Sequence, residues 1–351
     1  MKPGSYKLVV KMIGFEIIEH EFTLQNKGIR FRFKLVEDNI MLDQVNISAM
    51  TDADRKRYLA LFMQGFLGKS ANAAQCKILN TDIIRFNFDK KTGTLTAYTK
   101  DFLEIDNNAL GYHLKFLLSN FKYERYNGLG YEIGFYGTLY FEDMKGSARQ
   151  QKNWEQARLD AYLGSLPHFF RSAFNNSLTE NGFEVYQMLT EEVVKKRHTV
   201  PQKYFDPLGS LNKFLTPVDS NFKKLDLNAF TKDSTDLFVV YTPKSEPADF
   251  KLKGDVIQRF FQMPAGQTSV LRPALDSVLI DRSGGMAPTT GALLMGYWSW
   301  GQMSTFLPTD YEVPPGKMPV INKTQKAPTQ PFNCLMINTP PGITIRPTSR
   351  P

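Results

Sequence analysis

Hydrophobic and polar positions alternate with period two over the first forty-odd residues. Residues 5–47 read as a run of short strands: YKLVVKMIGFE and EFTLQ, a turn at Asn26-Lys27-Gly28, then IRFRFKLVE and LDQVNIS. In IRFRFKLVE, Ile29, Phe31, Phe33 and Leu35 fall on one face and Arg30, Arg32 and Lys34 on the other. That is the pattern of a half-buried antiparallel strand. The period then lengthens. TDADRKRYLALFMQGFL at 51–67 predicts a helix with Tyr58, Leu61, Phe62 and Phe66 on one face and Gly68 at its stop. Alternation returns in IIRFNFDKKTGTLTAYT, a hairpin turning at Lys91-Thr92-Gly93, and in residues 110–142, a longer hairpin turning at Asn127-Gly128. Leu110, Tyr112, Leu114, Phe116 and Leu118 point one way, as do Tyr131, Ile133, Phe135, Leu139 and Phe141.

Phe141 to Phe183 spells two amphipathic helices with their caps. Ser147 and Gln150 have capping-box spacing and Gly164 closes the first helix, 148–163. Ser165 caps the second, 166–180, and Pro167 sits in its first turn, where a missing N–H does no harm. Leu166, Phe169, Phe170, Ala173 and Phe174 make its apolar face, and Asn181-Gly182 ends it. GFEVYQML returns as a strand, 191–235 is polar and irregular, and DLFVVYT, ALDSVLID and the GYWSW region read as further sheet and core. The pattern predicts an α+β fold: a partial antiparallel β-sandwich at the N-terminus, then an antiparallel sheet with helices packed on one face. Segments 82–141 and 183–189 are expected to share that sheet. The expected domains are 1–47, 48–316 and a Pro-rich basic, disordered tail, 317–351.

Composition narrows the function classes. Apolar content of 42% and aromatic content of 13% suffice for a packed core. Five basic residues and no acidic one lie in 317–351, so the body carries only about +3 of the net +8. A nucleic-acid groove would need its charge in the folded part, so nucleic acid is not an expected partner. Two cysteines, Cys76 and Cys334, support neither a disulfide framework nor a zinc site. MKPGSYKLVVKMIGFE lacks the apolar run of a signal peptide and reads as a strand. The uncharged stretch beginning at Ser283 holds Pro288, Pro308 and four glycines between 284 and 296. It has no unbroken apolar run near ~18 residues, so it reads as buried core and no transmembrane segment is expected.

Several chemistries lack their residues. The histidines, His20, His113, His168 and His198, show no H-x-x-E or H-E-x-x-H spacing and no cysteine cluster, so neither metal nor cofactor is expected. GYWSWG around Ser299 misses the first glycine of a nucleophile elbow, and no histidine follows it. Gly128-x-Gly130 lies in a hairpin and opens no helix, so it is turn chemistry.

Two constellations remain. On the first helix Trp154, Ala157, Arg158 and Ala161 share one face, which puts Arg158 where a core residue belongs. A buried guanidinium needs a carboxylate, and Glu142, Asp143, Asp106 and Glu104 are the candidates. The residue is either a structural ion pair or a ligand-binding arginine. On the second helix His168, Arg171 and Asn175 share the face opposite the phenylalanines. His168 lies near the N-terminus, which favours anions, and the face reads either as solvated or as a binding site. Trp154, Tyr162, Phe169 and Phe170 are assigned structural roles.

FLGKSANAAQCKILN at 66–80, ALGYHLKFLLSNF at 109–121, the run from Tyr140 to Tyr186 and GYWSWGQMSTFLPTDYEVP at 296–314 carry a resemblance. The chain resembles the carboxypeptidase regulatory-like domain-containing proteins of Bacteroidetes-type bacteria over roughly residues 3–314. That resemblance implies a transthyretin-like sandwich, here reduced to its last strands without a signal peptide, followed by an α+β domain of unassigned function. It also implies a periplasmic or outer-membrane location. The expected function is a non-catalytic envelope module that binds an envelope protein or glycan, with no zinc carboxypeptidase activity. The rival is an enzyme acting on an anionic or carbohydrate substrate near Arg158 and His168. A truncated sandwich would also leave an exposed N-terminal sheet edge open to association.

Overall fold

The structure, a computed structural model, describes residues 4–10, 15, 18–24, 28–36, 50–126, 130–189, 205–208, 210–231, 234–253 and 266–319. The chain divides between Asp54 and Arg55 into two compact units. In the first, β1 (Gly4–Val10) and β2 (Ile18–Leu24) form an antiparallel hairpin with Leu8 opposite His20. Phe31 stands 5.0 Å from the His20 ring and 4.8 Å from Phe22. The expected strand IRFRFKLVE is not one over its described part, 28–36. Phe31, Phe33 and Leu35 are half-buried and Arg32, Lys34 and Val36 exposed, so the period of two survives without a ladder. A strand is a property of a pair, and no described segment pairs with this one. The turn expected at Asn26-Lys27-Gly28 and the strand LDQVNIS fall at least partly outside the described residues.

The division falls in the first turn of α1 (Asp52–Leu67), whose N-terminus is capped by Thr51 Oγ1 accepting from the Asp54 amide. Tyr58, Phe62 and Phe66 recur every four residues and are buried. They pack on the inner face of a six-stranded antiparallel sheet: β3 (Cys76–Ile78), β4 (Arg85–Asp89), β5 (Thr94–Tyr98), β6 (Leu103–Asn107), β7 (Tyr112–Tyr126) and β8 (Gly130–Asp143). The Phe62 ring lies 4.8 Å from Phe121, and Phe66 lies 5.0 Å from Phe135. β7 pairs with β8 along one edge and with β6 and then β5 along the other. An irregularity between Leu118 and Asn120 flips the alternation. Leu114, Phe116 and Leu118 therefore face the core before it and Phe121 after it. The β4–β5 turn falls where expected, with Asp89 accepting from the Lys91 amide and Gly93 at φ +72. The Asn127-Gly128 turn lies outside the described residues.

α2 (Ala148–Tyr162) and α3 (Leu166–Phe174) follow, with the capping box at Ser147 and Gln150 formed and Ser165 capping α3. α3 stops six residues short of the expected end. Asn175 caps it, Asn176 turns to φ +56, and Lys223 Nζ donates to the last helical carbonyl at 2.5 Å. Asn181 then donates to Ser172 and Ser177, so side chains replace the helical ladder.

The expectation that 82–141 and 183–189 share one sheet does not hold. β9 (Phe183–Leu189) belongs to a second antiparallel sheet with β10 (Phe205–Pro207), β13 (Ser234–Tyr241), β14 (Gln267–Pro273) and β17 (Ala292–Gly296), in the order β10-β9-β13-β14-β17. β11 (Leu215–Pro217), β12 (Phe222–Asp226), β15 (Ser277–Asp281) and β16 (Met286–Ala287) make a third sheet. The region 191–235, read as irregular, thus supplies strands too short to show a period. β9 pairs instead with β13, Val185 opposite Val239. Leu114 and Phe169 accordingly sit in different cores. α2 serves both, with Ala157 and Ala161 against the first and Leu159 and Tyr162 in the second. The class remains α+β with antiparallel sheets and few helices.

Among the described residues no helix is long and apolar enough to cross a membrane. The stretch Ser283–Thr309 does supply core, since Trp300, Met303 and Ser304 are buried. Cys76 is a free, half-buried thiol that burial pushes up to about 12. Cys334 and the tail from residue 320 onward lie outside the described residues.

Candidate functional site

The candidate residues sit on the α2–α3 hairpin, and Gly164 is its hinge. Its φ of +85 is open to glycine, and a Cβ there would lie 2.6 Å from Gln267 Oε1. Its N–H donates to His168 Nδ1 at 3.1 Å and its carbonyl accepts from Trp298 Nε1 at 2.9 Å. Local sequence forms this turn, while Tyr241, Gln267 and Trp298 from distant strands and loops enclose it.

Trp154 is buried, donates from Nε1 to Asn108 O at 2.9 Å, and fills the space left by Gly111 and Gly146. One turn on, Arg158 donates from Nε to Leu110 O at 2.7 Å. Its Nη2 reaches Gly111 O at 3.0 Å and Asp143 Oδ1 at 2.8 Å. Its guanidinium lies 3.8 Å from the centre of the Tyr112 ring. Of the four carboxylates considered, Asp143 is the partner; Asp106 is bonded to His113 and Glu142 to Lys115. The arginine side chain is 14% exposed but Asp143 is 75% exposed, so the carboxylate is not buried. Arg158 clasps the β6–β7 turn chiefly through two backbone carbonyls. Arg158→Ala is therefore expected to cost ~2–3 kcal/mol by stranding those carbonyls, less than for a buried pair. Asp143→Asn should cost under about 1 kcal/mol. Urea titrations of both variants check this, and equal losses would mean the ion pair dominates.

The expectation of a solvated face on α3 fails at His168, which is 1% exposed. Its ring stands 4.8 Å from Tyr162, 4.8 Å from Phe183 and 5.5 Å from Tyr241. The reason is tertiary: α3 packs within a core built from both the second and third sheets, so most of its surface is covered. Burial, reinforced by the positive charges of Arg171 and Lys244, pushes His168 down to about 3. The ring is neutral at pH 7, and with Nδ1 accepting, Nε2 carries the proton. Among the described residues no group bonds to Nε2. The first turn of α3 is not an open anion site either, because Ser165 Oγ takes the His168 amide.

Arg171 is a second clasp. Nε donates to Ser283 O at 2.7 Å, Nη1 to Tyr311 O at 2.6 Å and Nη2 to Thr309 O at 2.9 Å. Its charge lies 5.3 Å from the Tyr162 ring centre. Asn175 is the exposed cap of α3 and joins none of them. Tyr162, Phe169 and Phe170 are buried. A cleft joining Arg158 and His168 with Tyr112 or Tyr136 would have favoured the enzyme reading, but His168 is enclosed and opens onto no such cleft. Tyr112 lies under Arg158, while Tyr136 is paired with Asn120, seven residues along β8 from Asp143, or about 23 Å.

The sequence reading missed Asp236, fully buried and bound by Arg272 through two bonds of 2.7 and 2.9 Å. An aspartate directly before the apolar run LFVVY was the available signal. Ser299 Oγ donates to Gly296 O and has no histidine at hand in sequence. Among the described residues no group of three or more His, Cys, Asp or Glu is placed to hold a metal. An open depression of about 480 Å³ lies at the β14–β15 turn, lined by Ala274, Leu275, Asp276 and Ser277, and none of the candidate residues lines it. The chain matches no family model, no curated protein and no solved structure.

Proposed function

We propose that the chain is a non-catalytic binding or structural module of the cell envelope, of the carboxypeptidase regulatory-like type, with an envelope protein or glycan as partner. The observation that carries this reading is how the three strongest chemical side chains are used. Arg158 and Arg171 direct their guanidinium groups at backbone carbonyls of neighbouring turns. His168 is neutral and shut inside an aromatic cage. A general base needs hydrogen-bond reach to its substrate, and a histidine 1% exposed has none from solvent.

Cell fractionation with an antibody to the chain tests the location, with recovery in the periplasm or outer membrane expected and purely cytoplasmic recovery ruling the reading out. The rival enzyme is tested by incubating purified protein with anionic and carbohydrate substrates. Turnover that disappears in His168→Asn while the variant stays folded would establish the rival.

A further inference from the structure

We infer that the outer face of the six-stranded sheet docks an extended β-linked glycan, with Tyr98 and Tyr136 as the stacking rings and Asn120 between them. This rests on the reading of the chain as a non-catalytic binding module and names its partner class.

Strand parity places the three together. Leu95, Ala97, Phe121, Ile133 and Phe135 face the core, so their neighbours Tyr98, Asn120 and Tyr136 face outward. Tyr136 is registered opposite Asn120 across β8 and β7. Ala97 is registered opposite Phe121, which brings Tyr98 beside Asn120 on the other edge of β7. The result is an aromatic–amide–aromatic row across three strands. The rings are 41% and 56% exposed. A single exposed tyrosine needs no explanation, but two in one cross-strand row with an amide between them form a pattern.

Towards the β7–β8 turn the neighbouring row on this face is open and polar, whereas on the other side Leu117 and Thr138, opposite each other, are buried. Gly134 follows Tyr136 along the outward side of β8, and a Cβ there would meet nothing within 4 Å. Thr96 and Lys122 occupy the matching positions on β5 and β7. Charges of both signs share this face: Lys122 Nζ lies 2.6 Å from Glu124, exposed Arg85 is registered opposite Tyr98, and exposed Glu132 is registered opposite Glu124. A polyanion would find little net charge, and a protein interface wants a contiguous apolar centre, which an interposed amide denies. A pyranose has an apolar C–H face and a rim of hydroxyls, and fits both features. Tyrosine presents an apolar ring with a polar tip. The two rings flank β7 at two interstrand spacings, about 9.5 Å, the rise of a disaccharide in an extended β-linked chain. Both rings would then meet alternate sugars of one strand, with Asn120 bonding the sugar between them.

Isothermal titration of the full chain with cellohexaose and chitohexaose, and with coiled maltohexaose as control, tests this. At least one extended hexasaccharide should bind more tightly than maltohexaose. Tyr98→Ala and Tyr136→Ala should each weaken it about tenfold or more. Melting temperatures should hold, because both rings are exposed. The inference is overturned if neither extended sugar binds, if maltohexaose binds best, or if both variants bind like the wild type. Chromatography of the recovered sugar separates this from the broader reading. Shortened products would sink the non-catalytic reading even with the platform intact, whereas intact sugar without binding removes the platform alone.

Discussion

Phe169→Ala is expected to lower the unfolding free energy by ~3–5 kcal/mol, the cost of emptying a large buried aromatic site. Phe169 is fully buried, and its ring lies 5.4 Å from Phe170, 5.5 Å from Phe183 and 5.3 Å from Trp298. These neighbours come from α3, from β9 and from the segment after β17. They are poorly placed to collapse into the gap, because Trp298 is tied through Nε1 to the Gly164 carbonyl. The loss should therefore reach the cavity-dominated end of the range. Urea unfolding of the purified variant reads it, and a loss under about 1 kcal/mol would show that this stripe is not core.

The second large effect is on pH. His168 titrates near 3 in the folded chain, against 6.5 without burial, chiefly because burial disfavours its charged form. Between those values the unfolded chain holds a proton that the folded chain refuses. Protonation then favours unfolding, so stability rises with pH across the window. The contribution is fully present above pH 6.5 and is lost progressively as pH falls towards 3. At 1.36 kcal/mol per pH unit, the full span amounts to on the order of 4–5 kcal/mol. The positive groups facing the ring, Arg171 on its own helix and Lys244 beyond β13, deepen the effect. His168→Asn retains an acceptor for the Gly164 amide but does not titrate. Unfolding free energies at pH 7.5, 6, 5 and 4 should fall more steeply for the wild type than for this variant. Parallel profiles would mean that His168 takes up its proton in the folded state.

His168 also shows where reading a sequence stops. As part of LPHFFRSAF it lies opposite the phenylalanines, and helical spacing alone made that side the wet one. Arg158 was more legible: its place among Trp154, Ala157 and Ala161 marked it as enclosed and in need of a partner. Asp143 was among the four carboxylates that spacing allowed. What spacing did not show was that two carbonyls of the 110–111 turn, not the carboxylate, receive most of its donors. Backbone groups leave no trace in side-chain identity, so a clasp onto carbonyls is invisible before the chain is folded. The same holds for Arg171, whose three acceptors lie more than a hundred residues away.

Features that close within a few residues were legible in the local sequence. Ser147 with Gln150, Gly164 and Ser165 set the ends of α2 and the start of α3, since their bonds span three or four positions. Asp89 and Gly93 set the β4–β5 turn, and the period of two set which side of β7 and β8 is apolar. Tertiary structure decided the rest. It determined that β9 joins β13 and that the described residues of IRFRFKLVE stand outside any ladder. It also placed a histidine on the supposedly wet side of α3 in a dry cage. In each case the outcome depends on which surface lies opposite. A strand's partner and a helix's second face belong to the neighbour as much as to the segment, and that neighbour comes from far along the chain.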